Sequence, residues 1–140
     1  MQSHQALRQF LGQANLDTCK RACELMRSGD LPALGALLTA NQQAFDECAA
    51  PLCPQQLRAP KLHAVLAHPE IQPFIWGGKG VGSQGDGAAQ LLCKSEEAMQ
   101  TVAHLLEDRL AVSCLTLVVP RTQPAASQGS PPAPTSAPTG

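Results

Sequence analysis

Between Gly77 and Gly87 the chain reads Gly-Gly-Lys-Gly-Val-Gly-Ser-Gln-Gly-Asp-Gly, six glycines in eleven positions, directly after the apolar run Ile71 to Trp76. Glycine lets the backbone pass through φ > 0 and lets several N–H groups converge on an anion. The amides of Gly80, Gly82 and Gly85, the hydroxyl of Ser83 and the ammonium of Lys79 are therefore candidates for contact with a phosphate. Asp86 is either a further contact or a turn residue bonding to its own backbone. A stretch this poor in side chains is not expected to take part in a packed core.

Four readings of this stretch compete. A phosphate loop of the Gly-x-x-x-x-Gly-Lys-Ser/Thr type requires its lysine at the end, whereas Lys79 precedes the turn. Gly80-Val81-Gly82-Ser83-Gln84-Gly85 satisfies the dinucleotide pattern G-x-G-x-x-G, but Asp86-Gly87 interrupts where a helix should begin. A plain hairpin connection needs one or two glycines. A phosphate-facing loop between two strands uses all of them.

The remainder of the composition narrows the classes of function. A formal net charge of -1 with only 10 Lys and Arg gives no basic stripe, so nucleic acid and anionic membrane are not expected partners. No apolar run approaches the ~20 residues that span a bilayer, and Met1 to Gln5 is not signal-like, which points to a cytoplasmic protein. The six cysteines, Cys19, Cys23, Cys48, Cys53, Cys93 and Cys114, fall mostly on apolar positions and read as reduced thiols. The spacings of Cys19 and Cys23, Cys48 and Cys53, and His63 and His68 do not form a recognisable zinc pattern, and no metal site is expected.

Periodicity supplies the elements that must hold the glycine stretch. Apolar residues from Leu7 to Met26 recur at helical spacing, with a break expected near Gly12. Ser28-Gly29-Asp30 ends that helix and caps the next, in which Leu31, Leu34, Leu38, Phe45 and Cys48 form a stripe and Asn41 takes the polar position. A third helix is expected around residues 57–66. Strands follow near 73–77 and 88–93, then a helix capped by Ser95, then a third strand over 113–119 ending at Pro120. The order predicts an α+β fold with helices packed on a small antiparallel sheet, in one domain over residues 1–120. Residues 121–140, rich in Pro, Ala, Ser and Thr, have nothing large to bury and read as a disordered tail.

From near Lys20 to Val119 the chain resembles the C-terminal domain of the GHMP small-molecule kinases, the group of galactokinase, homoserine kinase, mevalonate kinase and phosphomevalonate kinase. The resemblance rests on Ser28-Gly29-Asp30-Leu31-Pro32-Ala33-Leu34-Gly35, on Pro54-Gln55-Gln56-Leu57, on Gly78-Lys79 followed by Gly82-Ser83 and Gly85-Asp86-Gly87, and on Ser95-Glu96-Glu97-Ala98. Gln84 and Asp86 depart from it where many members carry glycine. It implies a ferredoxin-like domain of a kinase, closest to the sugar-kinase-like members, that uses ATP and Mg2+ to phosphorylate a hydroxyl of a small metabolite. Lys79, Gly80, Gly82, Ser83, Gly85 and Asp86 would border the nucleotide phosphates and the substrate. The nucleotide loop, the usual catalytic acid and the magnesium ligand have no counterpart here, so the resemblance implies half of a kinase, inactive without an N-terminal partner. A stand-alone, non-catalytic binding or regulatory module derived from that domain is the alternative.

Overall fold

In the computed structural model the described residues are 2–82 and 85–120, with side chains from residue 4 onward. The expected tail over 121–140 and the candidate Ser83 lie outside them.

The amino-terminal half is helical. Helix α1 (Gln2–Gln9) passes through one π-helical turn (Phe10–Ala14) into α2 (Asn15–Ser28), and the kink falls at Gly12 (φ -91°, ψ -111°), the residue whose missing Cβ tolerates it. Gly29 terminates α2 at φ 74°, and the Asp30 carboxylate accepts from the Ala33 N–H at 3.1 Å to start α3 (Leu31–Ala49). Phe10 and Phe45 meet edge to face, with centroids 5.9 Å apart, and fasten the first helical segment to α3.

The expected third helix is two. Short α4 (Pro54–Leu57) and α5 (Pro60–Leu66) are separated at Ala59, which is held at φ 39°. Proline at 60 both disfavours the helical region for Ala59 and starts the next helix without needing an N–H. A 3₁₀ turn (Pro69–Phe74) then leads into β1 (Ile75–Gly80), which pairs antiparallel with β2 (Ala89–Cys93). The register runs from Gly80 opposite Ala89 to Ile75 opposite Cys93, with a bulge at Trp76. Ser95 caps α6 (Glu96–Leu110) by accepting from the Ala98 N–H at 3.1 Å.

The fold is thus α+β, with helices around a two-stranded antiparallel sheet. Ile71, Val65, Ile75, Val102 and Leu106 form the core under the sheet. Among the described residues no helix is long and apolar enough to cross a membrane.

The expected strand over 113–119 does not form. Helix α6 ends on Ala111 at φ 51°, after which Val112 and Cys114 pack against the core and Leu115 to Pro120 stay exposed without a ladder. Strand propensity in Val and Leu expresses fit to a pleated, half-buried surface. Among the described residues no strand is paired with this segment, so its propensity is not realised.

Candidate functional site

The glycine run divides into two parts with different physical roles. Gly77, Gly78 and Gly80 lie within β1 and are buried, so the first half of the run belongs to the packed interior, contrary to expectation, and β1 starts two residues and ends three residues further along than 73–77. The reason is the closeness of α3. A Cβ on Gly77 would strike the backbone of Gly35 and the Thr39 hydroxyl, and one on Gly35 would strike Trp76. A Cβ on Gly78 would meet the Leu91 side chain and the Gln90 carbonyl on β2. Glycine here allows helix and strand backbones to touch.

Lys79, between these glycines, is half-buried in β1, not in the turn. Its Nζ donates to the Gly80 carbonyl at 2.9 Å. Burial lowers its pKa from the ordinary lysine value.

The second part is the turn. The Val81 N–H donates to the Ala88 carbonyl at 3.0 Å and closes the hairpin. Antiparallel pairing across this short connection replaces the crossover helix that a dinucleotide fold needs, which removes that reading. Gly82 is exposed, adopts φ 68° and has open space where a Cβ would stand. Gly85 is half-buried in the bend that follows.

Asp86 turns back onto the fold. Its Oδ1 accepts from the Lys61 N–H at 2.9 Å and the Leu62 N–H at 3.1 Å, so the hairpin carboxylate caps α5 across 24 to 25 residues of chain. Asp86→Ala is expected to lower stability by about 1 kcal/mol, read from the denaturant midpoint. An unchanged midpoint would show that the cap carries no weight.

Gln42 and Asp46, which the sequence does not single out, and His63, which it offers only as a possible metal ligand, hold the other side of the hairpin. Gln42, only 4 % exposed, accepts the Gly80 N–H on its Oε1 at 2.7 Å and donates through Nε2 to Asp46 Oδ1 at 2.9 Å. Asp46 Oδ2 lies 2.8 Å from His63 Nε2 on α5. The signal was present: Gln42 stands four after Leu38 and three before Phe45, inside the apolar stripe, with Asp46 one turn further on. Asn41, the expected polar position, is the neighbour of the residue that matters.

All six cysteines are free thiols. Burial raises Cys48, Cys93 and Cys114 above the ordinary thiol value, which keeps them protonated and weakly nucleophilic. No group of three or more His, Cys, Asp or Glu among the described residues is placed to hold a metal ion. At the start of β1, Lys94 Nζ sits 4.8 Å from the Trp76 ring centroid and donates to the Pro73 carbonyl at 2.8 Å. Comparison of the chain with protein-family models, with curated proteins and with solved structures gives no match.

Proposed function

We propose that this chain is the C-terminal part of an ATP-dependent small-molecule kinase of the GHMP group, acting on a hydroxyl of a sugar-like metabolite, with the β1–β2 turn at the nucleotide phosphates. The observation that carries this reading is the state of the turn. It is pinned at Gly80 by Gln42 and at α5 by Asp86, yet between them Gly82 is open, exposed and left-handed. A backbone fixed at both ends, with an open glycine between the fixed points that adds no side chain of its own, lets its amides approach a phosphate closely at little ordering cost.

The donor set fits a phosphate and not a magnesium ion. Lys79 contributes a cation at the end of β1, while the Asp86 carboxylate is committed on one oxygen to α5. The metal's ligands and the catalytic acid would therefore belong to an N-terminal ATP-binding part. Phosphoryl transfer depends on positioning and charge neutralisation, and this chain's share would be to shape one wall of the phosphate site.

The test is reconstitution. Purified alone, the 140-residue chain is expected to show no phosphoryl transfer from ATP. Combined with the N-terminal ATP-binding part of a kinase of this group, it is expected to support turnover, and Lys79→Ala should reduce kcat/KM by about tenfold to a hundredfold, the value of one charge-assisted contact. Turnover by the chain alone, an inactive combination, or a combination indifferent to Lys79→Ala would sink the assignment.

A further inference from the structure

The polar path behind the turn ends at a histidine whose surroundings dictate its charge. His63 Nδ1 lies 2.9 Å from the Ala59 carbonyl and Nε2 lies 2.8 Å from Asp46 Oδ2. A carbonyl oxygen and an ionised carboxylate only accept, and a neutral imidazole has a single N–H to give. Both bonds coexist only when the ring carries both protons. Asp46 then receives one donor on each oxygen, the imidazolium on Oδ2 and the Gln42 amide on Oδ1. Holding Gln42 by its Nε2 leaves its Oε1 turned toward the Gly80 N–H.

We propose that His63 is a protonation switch for the glycine hairpin: its charged form anchors Asp46, Asp46 orients Gln42, and Gln42 holds Gly80 at the root of the turn. Losing the ring proton deletes one of the two His63 bonds and loosens the first link of that series. The series runs from α5 through α3 to β1, so it couples the charge of a half-exposed histidine to a buried strand amide. The inference does not depend on the kinase reading.

The charged side chains on the packed elements are Asp46 and Glu47 of α3, Arg58 and Lys61 beside the start of α5, Lys79 of β1, and Asp86 of the hairpin. Of these, Asp46 alone bonds the ring, and Asp86 is occupied by the Lys61 and Leu62 amides. The Asp46 bond raises the His63 pKa above its ordinary 6.5; burial opposes this, and the Ala59 carbonyl adds to it. A raised folded-state pKa means that the stabilisation is complete below the unfolded value and is lost as pH rises through the folded one. The window therefore opens at about pH 6.5 and extends upward.

Heteronuclear NMR on the isotope-labelled full chain, titrated from about pH 5 to about pH 9, reads each link separately. The His63 ring should titrate above its ordinary value, and the Gly80 amide resonance should move with the same midpoint. Protection of that amide against hydrogen exchange should fall by about two- to tenfold across the step, the worth of one hydrogen bond. In Asp46→Asn the ring midpoint should drop back and the Gly80 step should vanish; His63→Gln should abolish the step by itself and supplies the same test should Asp46→Asn not fold. A Gly80 resonance with no step at the ring's midpoint, or a step that survives in His63→Gln, overturns the proposal.

Discussion

Gly77→Val is expected to lower the unfolding free energy by about 3 kcal/mol, at the upper end of what overpacking costs. The substitution would place a branched side chain where the Gly35 carbonyl and Thr39 of α3 already stand. Both obstacles are on or close to a helix backbone, so relief requires α3 to move off β1. That movement would also pull Gln42 from Gly80, since both contacts sit on the same helix face. Gly82→Ala is the matched control: it meets nothing within 4 Å and is opposed only by φ 68°, a cost of about 1–2 kcal/mol. Denaturant melts of the two variants separate space from backbone angle. Equal losses would show that α3 yields freely and that the contact is not tight.

Ile71→Ala should cost about 3–4 kcal/mol. Ile71 has no exposed surface and lies in the 3₁₀ turn among Val65 of α5, Ile75 of β1 and Val102 and Leu106 of α6. Removing its branches opens a cavity where four elements converge, and a turn this short has little freedom to collapse into it. Leu115→Ala provides the contrast, since Leu115 is 97 % exposed and its loss should change stability by no more than about 0.5 kcal/mol. A small effect at Ile71 would mean that the core lies elsewhere than beneath β1.

Where a signal is local, the sequence carried it. Gly29-Asp30 and Ser95 mark helix boundaries because a left-handed C-terminal residue and a capping oxygen act on amides within four positions. The break at Gly12 was legible for the same reason. The strand over 113–119 was not a local question: its residues suit a sheet, but a sheet also needs a neighbour.

The glycines show the same limit in sharper form. Gly77 and Gly78, which admit a helix and a facing strand, and Gly82, which turns the chain in open space, are the same letter in one continuous run. Only the element packed against each residue distinguishes them. In the sequence Asp86 looks like a turn-setter or a phosphate contact because its partners, Lys61 and Leu62, stand far away along the chain. The choice between Asn41 and Gln42 turned on one step of helical phase, which the apolar stripe decides only when traced through Leu38 and Phe45.

The seating of α3 on β1 has a metrical consequence. Gly35 touches the strand at Trp76 and Gly77, and Gln42 touches it at Gly80. Seven helical residues advance about 10.5 Å, and the three strand residues from Gly77 to Gly80 advance about 10 Å. Helix and strand thus act as two rulers with unequal divisions that coincide at both marks. A single residue inserted between Gly35 and Gln42 would rotate the amide by about 100° and carry it past its mark. Length in α3 and length in β1 are therefore not independent variables, and the pair can change size only in steps that restore both coincidences and keep the strand's two-residue alternation, such as about four helical turns against six strand residues.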